Sequence, residues 1–470
     1  MAFERPVKPI QNAGGPDPAR QEIGAVAARL AQQGSFVRWA AFRHSIDPAT
    51  RLSRVNPSWS AAESMAEVAK SGPLAGVKVV ELAHIMAGPV CGLMLGDMGA
   101  EVIKVEKIEG GDDTRRSVPP AIEGESAAYM MMNRGKRGIA LDLKSADGKA
   151  ILRRLLADAD VLIENYRAGT MERLGLGYEV LRQEFPGLIY CSLSGFGRSG
   201  PYAERAGFDL VAQGMSGLMS ITGEGPGRPP MKCGPPVTDI TAGILAAMGV
   251  LAAHVHKLKT GEGQVVDTSL FEAGITLTYW QSAIAMATGA APGPMGSAHP
   301  LNAPYEAFET ADGWITIGAA NQTNWLRLLA VLGAEDLVAD PRFSANRDRM
   351  ANREALAAAL APHFRTAASA DWLARLEAGG VPAGPVLDVL AMQADPQARA
   401  REMVVEVEHR RAGRMSTLGL PVKFSATPGR VHGPAPLLGE HSRAILAQAG
   451  YDESAIDDWI ARGVVRETTA

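Results

Sequence analysis

From residue 76 onward, short β-branched runs alternate with segments whose apolar positions recur every three or four residues. GVKVVEL (76–82), EVIKVEK (101–107), DVLIENY (160–166) and GLIYCSLSG (187–195) read as buried strands. PVCGLMLGDMGA (89–100), SADGKAILRRLLADA (145–159) and YEVLRQEF (178–185) read as the helices between them. Such alternation predicts an α/β fold built on a parallel, doubly wound sheet, with ligands at the carboxyl ends of its strands. Further on, ITAGILAAMGVLAAHVHKLK (240–259) is a helix stopped by Gly261, and Ile240, Ile244, Leu245, Met248, Leu251, Val255 and Leu258 form its apolar stripe. TGEGQVVDTSL then suggests a turn and a strand, and APYEAFETADGWITIGAA followed by NQTNWLRLLAVLG reads as a hairpin and a helix.

These patterns divide the chain. Residues 1–72 form an N-terminal extension in which Asp17 caps, and Pro18 opens, a helix with Ile23, Val26, Ala27 and Leu30 on one side. Residues 73–285 make the first part of a large domain. The Gly-, Pro- and Ala-rich stretch 290–304 is a flexible connection inside a linker and small domain spanning 286–391. Residues 392–470 return to the large domain, which is therefore built from both ends of the chain.

Composition narrows the function. The 470 residues carry a net charge of −4 and no long basic run, which argues against nucleic acid or an anionic membrane as partner. Cys91, Cys191 and Cys233 are widely spaced and include no CxxC pair, so neither a zinc site nor a disulfide framework is implied, and a reducing cytoplasm fits. The start MAFERPVKPI lacks the apolar core of a signal peptide. The most apolar stretch, 240–253, reads as too short to span a bilayer.

Candidate chemistry centres on Asp239 in GPPVTDITAG, placed as the N-cap of the 240–259 helix. A carboxylate there is held ionised by free amides and the helix dipole, which suits a nucleophile for a carbonyl in a partly dry site. Glu106 ends the second strand as a ribose-binding acid would, but no G-x-G-x-x-G follows the first strand, which speaks against a dinucleotide. His254 and His256 diverge by about 200° on a helix and cannot share a metal. In EGGDDTRRS, Asp112, Asp113, Arg115 and Arg116 form either a solvated loop or an anion site. Ser194 in SLSGFG matches a hydrolase elbow only loosely, since Ser192 stands where glycine is needed.

PLAGVKVVELAHIMAGP, LGDMGAEVIKVEKIEGGDDTRR, NRGKRGIALDLKSADGK, VLIENYRAGTMERLGLGY, GFDLVAQGMSG, GPPVTDITAG, KTGEGQVVDTSLFEA, APYEAFETADGW and APLLGEH occur in that order. Together they resemble the class III CoA-transferases of the formyl-CoA and carnitine type, relatives of the α-methylacyl-CoA racemases, over residues 73–465. The resemblance implies a Rossmann-like large domain, a smaller α/β domain and an interlocked homodimer. It places the catalytic aspartate on Asp239, which would form an aspartyl anhydride and then an aspartyl-CoA thioester. Acyl-CoA and a small carboxylic acid are the implied substrates, succinyl-CoA and a dicarboxylate being the pair expected from many relatives, with no metal and no separate cofactor. Implied CoA contacts are His84, Ile85, Met86, Lys107, Leu141, Lys144, Asn165, Tyr166 and Arg173, and implied oxyanion donors lie within Gly293–Ala298. Lys107, Lys144 and Arg173 suit CoA phosphates on chemical grounds as well.

Three departures matter. Ala206 stands where a family enzyme carries a lysine near the reacting centre. The G-H-D of the racemase branch is Gly207-Phe208-Asp209 here, and a phenyl ring cannot move a proton. The racemase's supporting glutamate is replaced by Asn321. These changes favour CoA transfer over racemisation and leave Asp209 as a structural partner or a support for Asp239; a non-catalytic CoA-ester-binding protein is the remaining rival.

Overall fold

Val79, Val80, Val161, Leu162 and Ile163 are all buried, because the sheet that holds them is covered on both faces. The computed structural model describes residues 72–468, and these fall into two compact units: residues 72–294 with 389–468, and Met295–Asp388. The helix predicted from Asp17, like the rest of the N-terminal extension up to residue 71, lies outside the described residues.

In the larger unit six strands run parallel: β1 (Lys78–Glu81), β2 (Glu101–Glu106), β3 (Arg137–Leu141), β4 (Val161–Glu164), β5 (Ile189–Ser194) and β6 (Val265–Ser269). Their spatial order is β3-β2-β1-β4-β5-β6, with the short strand Val465–Arg466 added antiparallel beyond β3. The central parallel sheet expected from the β-branched runs is thus present. β3 is an addition, since its five residues RGIAL follow a polar stretch and are too few to show a period of their own.

Four helices frame the sheet: α1 (Ala87–Asp97), α2 (Ala146–Leu156), α3 (Asp209–Met215) and α4 (Val237–Thr260). Alternate strand residues serve opposite cores. Val79, Val161, Ile163, Ile189 and Cys191 pack with Cys91 and Leu95 of α1 and Ala242, Ala246 and Val250 of α4. Val80, Leu162 and Tyr190 pack with Ile151 and Leu155 of α2 and, from the chain's end, Ile445 and Ile456.

α4 departs from expectation in two ways. It buries its small side, Ala242, Gly243, Ala246, Ala247, Val250 and Ala253, while Ile244, Met248, Val255 and Leu258 of the predicted stripe are exposed, Leu258 by 73%. Close approach selects this side: a Cβ built on Gly243 would lie 2.6 Å from the Ala87 carbonyl oxygen and 2.7 Å from Val90 Cβ. The helix is also longer than the apolar run in the sequence. Its 24 residues, with an 18-residue window of mean hydropathy 1.5, are enough by length and composition to cross a membrane. The predicted start was set too late, because Val237, Thr238 and Asp239 are helical too, whereas the predicted end before Gly261 holds to within one residue.

The smaller unit has the hairpin Tyr305–Glu309 and Trp314–Gly318, with Ala383–Pro385 antiparallel beside it. Phe308, Ile315, Trp325, Leu328, Phe364 and Trp372 form its core. Asn321 caps the helix Gln322–Leu332 by accepting from the Asn324 amide at 2.8 Å.

Candidate active site

β1 and β4 are neighbours, and the chain leaves their carboxyl ends in opposite directions across the sheet, the place where doubly wound sheets open a crevice. The loops that follow them meet there. Asn165 Oδ1 accepts from the His84 amide at 2.9 Å, and Asn165 Nδ2 donates to the His84 carbonyl at 2.7 Å. The rings of His84 and Tyr166 lie 5.5 Å apart. Burial lowers the His84 imidazole pKa despite Asp112 and Asp113 nearby, so the ring is neutral at pH 7. Tyr166 is pushed up to about 12 by burial.

The other implied CoA residues share this edge of the sheet. Met86 immediately precedes α1, and Lys107 follows β2, exposed, with Nζ 2.7 Å from Asp113 Oδ1. Leu141 ends β3 with its side chain in the core, so only its backbone can face a ligand. Lys144 is exposed in the turn before α2. Arg173 is exposed on the helix Thr170–Leu174, donating to Thr170 Oγ1 at 2.9 Å. Asn165 needs a refinement, because its amide is spent on the His84 backbone. EGGDDTRRS divides: Asp112 turns inward and Arg115 grips Glu106 with two hydrogen bonds, while Asp113 and Arg116 pair with each other on the solvated side of the loop.

Asp239 lies in the first turn of α4, but Pro236 is the N-cap and its carbonyl accepts the first helical bond, from Ile240. The proline pair thus sets the helix start three residues ahead of the carboxylate. Asp239 is half-buried and makes no side-chain cap bond. Burial first, and the Asp209 carboxylate second, push it up to about 7, against the expectation that the helix terminus alone would keep it ionised. One turn on, Gly243 touches Ala87, so the head of α4 stands against the start of α1 and its preceding loop.

Asp209 anchors that turn. Its Oδ1 accepts from Thr238 N at 2.9 Å and Thr238 Oγ1 at 2.7 Å, and its Oδ2 accepts from Gln213 Nε2 at 2.8 Å. Gln213 Oε1 in turn accepts from the Cys233 amide at 2.9 Å. Two neighbouring carboxylates therefore differ sharply: Asp209 has three donors, and Asp239 has burial and a like charge. Gly207 ties the same segment to the end of β5, since a Cβ on it would fall 2.5 Å from Gly195 Cα. Ala206 and Phe208 flank it and are exposed, Phe208 by 69%. Thr238 and Gln213, both fully buried, were not singled out in sequence; a threonine and a glutamine inside apolar segments were the only available signal. The glycine-rich stretch divides between the units, Gly293 in the larger and Met295–Ala298 in the smaller.

The sequence profile described as CoA-transferase family III matches residues 74–442. A succinate–glutarate CoA-transferase of Agrobacterium fabrum is 42% identical over 382 residues, 80% of this chain and 95% of that protein. A succinyl-CoA:glutarate CoA-transferase of Homo sapiens is 37% identical across 84% of this chain and 90% of its own length. A succinyl-CoA:mesaconate CoA-transferase of Haloarcula marismortui is 40% identical across 81% and 97%. Among solved structures, a CAIB/BAIF family protein from Brucella suis matches with a TM-score of 0.73 and 42% identity, covering 81% of this chain and all of that one.

Proposed function

The chain belongs to CoA-transferase family III and is an enzyme of that class; from this premise we propose that it moves CoA from succinyl-CoA to a small dicarboxylate, with Asp239 as nucleophile. An Asp239 oxygen attacks the thioester carbonyl, the C–S bond breaks, and an aspartyl acyl anhydride and CoA thiolate result. The thiolate attacks the Asp239 carbonyl carbon and expels the donor acid, leaving an aspartyl-CoA thioester. The acceptor carboxylate repeats the exchange in reverse, and the thiolate leaves with the new acyl group. No water is consumed and no redox or metal step is needed. The observation that carries this reading is the half-buried carboxylate at the head of α4, without a cap bond and one turn from the contact with Ala87.

Along the sheet's carboxyl edge, the exposed Lys107, Lys144 and Arg173 would take the phosphates of CoA, and His84, Ile85, Met86, Asn165, Tyr166 and the backbone of Leu141 its body. The strand order supports a Rossmann-like domain built from both chain ends. Incubation with succinyl-CoA followed by hydroxylamine is expected to trap a modification at Asp239, and mass-spectrometric exchange with glutarate and mesaconate to yield new thioesters. An absence of both with any acyl-CoA would sink the proposal. Phe208 leaves racemisation without its proton-moving imidazole.

The pH dependence follows. Attack needs the carboxylate, so kcat/KM is expected to rise with pH through about 7, where Asp239 ionises. Asp209→Asn removes the like charge and keeps an oxygen for Thr238, which lowers the Asp239 pKa and moves the acid limb to lower pH. A pH–rate profile of both proteins checks the sign; an unmoved limb assigns it elsewhere.

We also propose a cytoplasmic, interlocked homodimer. Met248, Leu258, Tyr279, Trp280 and Met286 are large apolar residues exposed in the larger unit, Met286 by 87%, and a second copy would take such side chains out of water. Sedimentation is expected to give twice the chain mass of 49.6 kDa, unchanged on dilution to nanomolar protein.

A further inference from the structure

We propose that Lys104 and Asp112 are positioning residues for acyl-CoA: from behind the β1–α1 loop they lock Ile85 in a left-handed backbone conformation and so pre-form the surface that loop presents. The proposal rests on the reading of this loop as part of the CoA site.

Every residue from 83 to 86 has a backbone group held. The Ala83 carbonyl accepts from Lys104 Nζ at 2.8 Å, both polar groups of His84 are held by Asn165, the Ile85 amide donates to Asp112 Oδ1 at 3.0 Å, and the Met86 carbonyl accepts from Val90 N at 2.8 Å. Ile85 has φ +68°, and it is the one β-branched residue among the three non-glycine residues with positive φ in the described chain. Its Cβ substituents crowd the neighbouring carbonyl there, so an isoleucine stays left-handed only where its surroundings force it. Asp112 supplies the force and is itself fixed. Its Oδ2 lies 2.9 Å from Lys104 Nζ, its Oδ1 also accepts from Thr114 N and Oγ1, and its amide donates to Glu106.

The ion pair behind the loop is buried, Lys104 fully and Asp112 to within 3% exposure. Lys104 Nζ also lies 3.0 Å from Glu81 Oε1, and Lys136 Nζ lies 2.7 Å from Glu81 Oε2, so two carboxylates and two ammoniums alternate and balance. Burial opposes the charge on Asp112, but Lys104 and the Thr114 and Ile85 amides outweigh it and hold the carboxyl well below its usual range. Protonation of Asp112 therefore does not loosen the grip as pH falls through the ordinary carboxylate range. A lysine in the middle of a central strand serves no solvent contact; here it connects the β2 backbone to the loop that follows β1.

A loop already in its binding conformation loses less freedom when ligand arrives, so the clamp should act on affinity and leave the bond-making step alone. Asp112→Ala is expected to weaken binding of coenzyme A, measured by titration calorimetry, and to raise KM for acyl-CoA, both by about tenfold, with kcat within about twofold. Ile85→Gly accepts positive φ without strain. In the Ile85→Gly background, whose own affinity already allows for the missing Ile85 side chain, Asp112→Ala is expected to weaken binding by less than about threefold. A purely structural Asp112 would not respond to that second change. If Asp112→Ala does not accumulate as folded protein, the double variant decides: folded protein that binds coenzyme A supports the clamp, and continued failure overturns it. Unchanged affinity in Asp112→Ala, a loss confined to kcat, or a loss on adding Asp112→Ala to Ile85→Gly as large as in the unsubstituted protein also overturns it. If the unsubstituted protein itself does not bind coenzyme A, this proposal and the reading of the site fall together; normal binding there beside an unaffected Asp112→Ala removes the clamp alone.

Discussion

Asp239→Asn is expected to lower turnover by about 10³-fold or more while raising the melting temperature at pH 8. The two effects have one origin. The carboxylate is the group that takes the acyl chain and then CoA, and an amide oxygen at that position neither attacks a thioester at a useful rate nor leaves an anhydride. The same carboxylate is held with its pKa at about 7, above the 3.8 of an unburied aspartic acid, so ionising it is harder in the fold than in the unfolded chain. A raised carboxyl pKa means that the folded state holds its proton longer, and stability falls as pH rises from about 4 to about 7. Replacing the charge removes that penalty. With a discount for partial solvent access, the gain is about 2 kcal/mol at pH 8 and shrinks toward pH 5. Thermal melts at the two pH values test this beside the rate. A variant that is inactive and destabilised at both would point to misfolding rather than to a lost nucleophile.

The frame of this site was legible in the sequence, and its internal wiring was not. Runs such as VKVV and VLI announce buried parallel strands because a sheet covered on both faces admits β-branched residues at every position. Asp239 was reached through the resemblance of ordered motifs; its helical setting alone fits a cap as well as a nucleophile. The cap assignment failed because Pro235-Pro236 starts the helix earlier than the apolar run implies. The facing of α4 failed for a different reason. A hydrophobic stripe predicts burial by size, whereas the packed interface was selected by smallness, at alanines and at Gly243. Contacts such as Asp209 to Thr238, and Asp112 to Ile85, join residues 29 and 27 positions apart, and no local period encodes them. Lys104 did carry a readable signal, since a charge between Ile103 and Val105 on a buried strand must have a partner.

Smallness at Gly243 has a functional consequence, because that glycine sits one turn from Asp239 and faces the first residue of α1. Gly243→Ala would place a methyl 2.6 Å from a backbone oxygen and 2.7 Å from Val90 Cβ. Neither neighbour is the far end of a flexible chain, so the two helices must part by several tenths of an ångström. Overpacking of this kind costs about 1–3 kcal/mol, more than the roughly 1 kcal/mol that alanine gains over glycine inside a helix. The displacement is also a lever on the nucleophile, and a shift of about 1 Å in an attacking group can cost about 10²-fold. Gly243→Ala is therefore expected to lower kcat by about 10- to 100-fold with a reduced melting temperature. Gly249, lower on the same helix, provides the comparison: its added Cβ would meet Val266 Cγ1 at 2.6 Å, a methyl that can turn aside. Gly249→Ala is expected to keep kcat within about threefold, because its adjustment ends at one side chain. Equal losses in the two variants would mean that α4 responds to any added bulk, and that the contact with α1 does not set where Asp239 stands.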